Sequence, residues 1–163
     1  MELEPGELEL ICTCVGQIIV PFALLEASLN AIVEATYQHF GGNKLEKELP
    51  QSLKKRVLYL EKCLLKLPIL MPVKDDLQKL LNTTLDEADT RNKIAHGFMA
   101  AFERSTTTIT FKSLEAKTDK QKHTIQISSY TIPELLDCGG RIQNAASSLN
   151  EMAYRVLRLS APY

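Results

Sequence analysis

The sequence predicts a mainly α-helical protein: an antiparallel four-helix bundle with a β-hairpin inserted before the last helix. Apolar residues recur at helical spacing over four long stretches, and Gly or Pro residues mark the ends of several of them. Between the third and fourth stretches the composition changes to Thr and Ile, which is typical of strands. With 163 residues and 45% hydrophobic composition, the chain is expected to form one domain, residues 1–163, with a substantial core.

The first two helices are predicted over residues 7–40 and 52–67. Pro21 lies inside the first one and should kink it or divide it in two, and Gly41 and Gly42 should end it. Pro68 marks the end of the second helix. The apolar stripes of the two helices consist of Ile11, Val15, Ile18, Phe22, Leu25, Leu29 and Val33, and of Leu53, Val57, Leu60 and Leu64.

A third helix is predicted over residues 74–96. Pro72 suits its first turn, and Gly97 stands where a helix C-terminus favours a left-handed residue. Its apolar stripe comprises Leu77, Leu81, Ala88 and Ala95, and the centre of that stripe passes between Arg91 and Asn92. If the stripe is buried, neither of these two polar side chains can simply face solvent.

A β-hairpin is predicted over residues 106–127, and a last helix over residues 132–159. Alternation of Ile109, Phe111, Ile125 and Ile127 favours two half-buried strands, and Lys117, Lys120 and Lys122 give the hairpin a basic tip. Thr131 and Glu134 fit a capping box at the start of the last helix. The pair Gly139-Gly140 inside that helix indicates either close approach of another backbone or a local weakness.

Composition restricts the classes of function. A net charge of −1 argues against a globally basic nucleic-acid surface, so any contact with RNA must be local or lie in a groove between subunits. The four cysteines contain no C-x-x-C pair, and we expect buried thiols rather than a metal site or a disulfide framework. The acidic N-terminus and the lack of an apolar run of membrane-spanning length predict a cytoplasmic protein without a membrane contact.

The chemistry of the chain is concentrated in Arg91, Asn92 and His96, at the end of the third helix. Asn92 and His96 are four residues apart and lie on one side of a helix, whereas the side chains of Arg91 and His96 diverge by about 140°. Arg91 and His96 can therefore converge only on a large ligand or across a second chain. A purely structural alternative remains open, in which Glu87 pairs with Arg91 and Asp89 with Lys93 as ordinary helix ion pairs.

The segment Arg91-Asn92-Lys93-Ile94-Ala95-His96 resembles the motif of the HEPN superfamily, in which an arginine and a polar residue precede a histidine by a few positions. This resemblance implies a helical bundle, often dimeric, and in many members a metal-independent ribonuclease that serves as a toxin or in antiviral defence. Phe98 stands where members paired with a nucleotidyltransferase antitoxin carry a modified tyrosine, so control by that modification is not expected.

We therefore expect a metal-independent endoribonuclease without a cofactor, whose composite active site lies at a homodimer interface, with RNA as substrate and a protein antitoxin as a possible partner. Arg91, Asn92 and His96 are the candidate catalytic residues. Glu26, Asn30 and Lys93 are candidate supporting or substrate-binding residues. Two alternatives stay open: a non-catalytic HEPN-like module that binds nucleotide, RNA or protein, and a structural dimerisation domain.

Overall fold

The computed structural model describes residues 3–116 and 123–159 and has the predicted overall composition, four α-helices with a small antiparallel sheet before the last one. The helices are α1 (Pro5–His39), α2 (Leu53–Lys66), α3 (Lys74–Ala95) and α4 (Ile132–Leu159). The strands are β1 (Phe98–Glu103), β2 (Thr108–Ala116) and β3 (His123–Thr131). Short 3₁₀ segments lie at Gly42–Lys44 and Pro68–Val73.

Helix α1 runs without interruption through Pro21, so of the two predicted alternatives, a kink or a division into two helices, the division does not occur. The lost N–H and the ring of a proline cost a helix about 3 kcal/mol. Burial of Ile18 and Phe22, both fully inaccessible to solvent, offsets this cost on either side of the proline. The helix ends as predicted at Gly41, whose φ of 83° is left-handed.

The described chain falls into two compact units, each built from two segments. One unit comprises residues 22–85 and 144–163, of which the last four lie outside the described range. Its core is a continuous cluster of buried apolar side chains from the second half of α1, from α2, from the first part of α3 and from the second part of α4. Ser52 begins α2 by accepting a hydrogen bond from the Lys55 N–H.

The other unit comprises residues up to Pro21 and residues 86–143. It holds the sheet, in the strand order β1-β2-β3, and its helical parts are the start of α1, the end of α3 and the start of α4. Glu134 accepts a hydrogen bond from the Thr131 N–H at 2.7 Å and donates its own N–H to the Thr131 hydroxyl, so the predicted capping box is confirmed. The backbone carbonyl of Gln17 in α1 would lie 3.0 Å from a Cβ at Gly139, which confirms the close backbone approach predicted there.

The predicted hairpin is part of a three-stranded sheet, because β1 pairs antiparallel with β2. On one face of the sheet Ile109 and Phe111 are buried, as predicted. Ile125 and Ile127 are 64% and 61% exposed, so the prediction that these two side chains lie on the buried face of their strand is wrong. The predicted basic tip, Lys117, Lys120 and Lys122, lies outside the described residues.

Helix α1 is also long and apolar enough to cross a membrane, judged by length and composition alone, contrary to the sequence-based expectation. Only 33% of its most apolar window is buried. Within the described ranges no other helix is long and apolar enough to cross a membrane. A core helix of a soluble protein can have the same length and apolar composition.

Candidate functional site

The candidate site is the C-terminal end of α3 and the turn that leads into β1. Ala88 and Ile94 bury the last turns of α3, whereas Ala95, which was predicted to continue the apolar stripe, is exposed. The side of α3 that is buried near its C-terminus therefore differs from the side that the predicted stripe occupies. As a result Arg91 is half-buried and Asn92 is exposed, so the prediction that neither faces solvent is wrong for Asn92.

Arg91 and Asn92 are joined by a side-chain hydrogen bond, in which Arg91 Nη1 donates to Asn92 Oδ1 at 2.9 Å. Arg91 Nε is inaccessible to solvent, so the base of the guanidinium is enclosed by protein. The amide N–H groups of Asn92 make no hydrogen bond within the described part of the chain. This hydrogen bond orients the guanidinium against the amide oxygen and leaves the two amide N–H groups of Asn92 available to a ligand.

His96 follows the last residue of α3 and is exposed to solvent. Its backbone N–H donates to the Asn92 carbonyl at 3.0 Å, which continues the helical hydrogen-bond pattern by one residue. The predicted neighbourhood of Asn92 and His96, four residues apart on one side of the helix, therefore holds at the level of the backbone. The imidazole of His96 is accessible to a ligand from solvent.

Gly97 separates His96 from β1, but not for the predicted reason, because its φ is not left-handed. A Cβ at this position would lie 2.4 Å from the Lys93 carbonyl and 3.3 Å from Phe111 Cβ. Only glycine allows the chain to pass this close to both α3 and β2. The close passage determines where His96 lies relative to the sheet.

Two charged groups on the last turns of α3 have partners within the same unit. Lys93 forms the predicted ion pair with Asp89. Glu87 does not pair with Arg91; its carboxylate accepts hydrogen bonds from Arg141 Nε at 2.5 Å and Arg141 Nη2 at 3.2 Å. A carboxylate that is only 7% exposed needs such a partner, and α4 supplies it.

Cys138 completes this cluster, because its Sγ donates to Glu87 Oε2 at 3.4 Å. Burial, together with the adjacent carboxylate, raises the pKa of the Cys138 thiol to about 12. Sequence reasoning missed the cluster, since Glu87 and Arg141 are separated by 54 residues. The only local signal was a carboxylate on the apolar side of a predicted helix.

Glu26 and Asn30, the predicted supporting residues, lie in α1 within the unit that contains residues 22–85, and both are half-buried. Asn30 lines a cavity of about 140 Å³ together with Arg56. Arg56 Nε donates to the Pro50 carbonyl at 3.3 Å. Lys54 and Lys55, which precede Arg56 in α2, are exposed.

The described residues contain no group of three or more His, Cys, Asp or Glu side chains that could hold a metal ion. All four cysteines are free thiols. Cys14, Cys63 and Cys138 are buried as expected, whereas Cys12 is exposed, contrary to expectation.

Comparison of the chain with protein-family models, curated proteins and solved structures finds no match in any of the three. The resemblance to the HEPN superfamily accordingly rests on the motif residues and the helical frame.

Proposed function

We propose that the protein is a metal-independent endoribonuclease of the HEPN type, in which the helices form an antiparallel bundle and the active site is shared across a cytoplasmic homodimer. One observation carries the proposal: the Arg91 guanidinium donates a hydrogen bond to the Asn92 amide, and His96, one helical turn after Asn92, exposes its imidazole to solvent. A guanidinium and an imidazole are both suited to phosphate chemistry, the first as a binder of phosphate oxygens and the second as an acid or base.

In the proposed reaction, the ribose 2′-oxygen of the substrate attacks the adjacent phosphorus. A base removes the proton from the 2′-hydroxyl, the bond between phosphorus and the 5′-oxygen breaks, and an acid protonates the leaving 5′-oxygen. The products are a 2′,3′-cyclic phosphate and a 5′-hydroxyl. Arg91 stabilises the charge on the crowded phosphate, and the free amide donors of Asn92 bind one of its oxygens.

The reaction uses two proton-transfer groups, whereas the motif of one chain supplies one imidazole. A two-fold axis close to the end of α3 would bring two copies of His96 to one phosphate, one acting as base and the other as acid. It would also overcome the divergence of about 140° between Arg91 and His96 on a single helix. A toxin or defence role, with a protein antitoxin as partner, follows from the family resemblance alone.

The experiment measures cleavage of single-stranded RNA by the purified protein in the presence of EDTA. We expect products with 2′,3′-cyclic phosphate ends, and a loss of about 10² to 10⁴-fold in rate for His96→Ala. Arg91→Lys should impair cleavage because an ammonium group cannot reproduce the planar fork of a guanidinium. His39→Ala, which removes an exposed histidine at the end of α1, is the matched control and should cleave at the unmodified rate.

Equal rates for His96→Ala and the unmodified protein would overturn the proposal, as would activity that chelation abolishes. RNA binding without cleavage would favour the non-catalytic binding module. A stable dimer with neither property would favour the structural role.

A further inference from the structure

The outer edge of β3 is the feature that the proposed ribonuclease function does not use. β3 spans the nine residues His123–Thr131 and pairs with β2 along its whole length. It is the last strand in the order β1-β2-β3. Among the described residues, the backbone groups of residues 124–130 bond to nothing beyond this sheet. The strand therefore presents a row of unpaired N–H and C=O groups on its free side.

This edge lacks the devices that normally prevent strands from pairing with other chains. Residues 124–131 include no charged side chain and no proline. The register irregularity of the sheet lies between β1 and β2, whereas the pairing of β2 with β3 is regular. Within residues 124–131, no charge, proline or bulge repels or misaligns an added strand.

The sheet face beside this edge is apolar and exposed. Ile125 lies opposite Leu114 in the register, and these two side chains, together with Ile127, are more than 60% exposed. Residues 125 and 127 share a face because side chains alternate along a strand. Phe98, 63% exposed, extends the same face to β1 through its pairing with Lys112, which in turn faces Ile127. Because the charged Lys112 separates Phe98 from Ile127, the contiguous exposed apolar area beside the edge consists of Leu114, Ile125 and Ile127. An exposed apolar area at a strand edge marks an interaction surface.

The sequence of the edge is close to a palindrome, Thr124-Ile125-Gln126-Ile127-Ser128. We propose that β3 pairs antiparallel with β3 of a second copy of this chain, about a two-fold axis at Gln126. In this register Ile125 lies opposite Ile127 of the partner subunit, and Thr124 lies opposite Ser128 of the partner subunit. A two-fold contact requires a surface that is complementary to itself, and this segment meets the requirement with apolar pairs and hydroxyl pairs.

The contact forms a continuous sheet of six strands and removes both free β3 edges. The two β1 strands of such a sheet are five strand spacings apart, about 24 Å. This contact therefore does not unite the two copies of His96, and it forms whether or not the protein cleaves RNA. It is a second interface, separate from the proposed catalytic one.

Site-directed disulfides test the register. In a background with Cys12→Ser, which removes the exposed native thiol, Gln126→Cys places two thiols opposite each other across the axis, with Cα atoms about 5 Å apart. Thr124→Cys is the matched control on the same strand, and the Cα atoms of its two copies are about 14 Å apart in this register. We expect the first variant to form a disulfide-linked dimer under mild oxidation and the second to stay unlinked. Equal cross-linking of both variants, or none at position 126, would overturn the proposal.

A charge exchange at exposed positions gives a second test that spares the fold. Ile125→Lys combined with Ile127→Lys places like charges opposite each other, whereas Ile125→Lys combined with Ile127→Glu places opposite charges there. Sedimentation should show association through this interface weakened about tenfold or more in the first variant and retained in the second. Equal association of the two variants would contradict the two-fold contact.

Discussion

Gly139 and Gly140 are adjacent in α4, yet alanine should stabilise the protein only at Gly140. At Gly140, apart from the chain neighbours and the backbone of α4 itself, no atom of the described residues lies within 4 Å of a new Cβ. Replacing a helical glycine with alanine there should stabilise the protein by about 1 kcal/mol, through helix propensity alone. At Gly139 the new Cβ would lie 3.0 Å from the Gln17 carbonyl oxygen and 3.3 Å from Gln17 Cβ.

The Gln17 carbonyl belongs to the backbone of α1 and cannot rotate away, so the two helix segments would have to separate. Overpacking of this kind typically costs about 1 to 3 kcal/mol. Subtracting the propensity gain of about 1 kcal/mol leaves Gly139→Ala neutral to destabilised by about 2 kcal/mol. The two variants should thus differ by about 1 to 3 kcal/mol in the free energy of unfolding.

Urea denaturation of both variants, followed by circular dichroism, measures this difference as a shift in midpoint at constant slope. Gly139→Ala as stabilising as Gly140→Ala would refute the close contact between α1 and α4. A changed slope in either variant would instead indicate an altered denatured state.

Two further predictions concern thiols and acid. In the native protein the exposed Cys12 should react with a thiol reagent at pH 8 within seconds to minutes. Cys138 should stay protected until the protein unfolds, because burial and the adjacent Glu87 raise the pKa of its thiol to about 12. Fast labelling of Cys138 would contradict the buried cluster. Hydrogen bonds from the Thr131 N–H and hydroxyl lower the pKa of Glu134 below its ordinary value of 4.5. The stability that the Glu134 carboxylate contributes is therefore present above about pH 4.5, and it is lost as the pH falls through the pKa of Glu134 in the folded protein. Between pH 7 and pH 3, Glu134→Gln should therefore lose less stability than the unmodified protein. Thermal melts at the two pH values would measure this difference, and an unchanged pH dependence would argue against the capping box.

The helices were predictable because their signals are local. Ser52 and Thr131 cap α2 and α4 with their own side chains, and Gly41 takes the left-handed conformation that ends α1. Each of these interactions joins residues within one turn, so the sequence contains both partners side by side.

β1 escaped prediction because its sequence, Phe98–Glu103, includes two alanines and little alternation. Its pairing with β2 makes it a strand, and the sequence of β1 does not contain that partner. The alternation of Ile125 and Ile127 likewise predicts that one face of β3 is apolar, but not whether another element covers that face.

The sequence alone determined the four helices and the identity of the motif residues Arg91, Asn92 and His96, because helical spacing and capping depend on neighbours within four residues. Only the tertiary structure decided that Glu87 pairs with Arg141 and that Gly97 is required for close passage beside β2. The residues in each of these contacts are distant in sequence. The free energy of burying a charge, or of placing a Cβ in a close-packed position, depends on which residues the fold brings into contact.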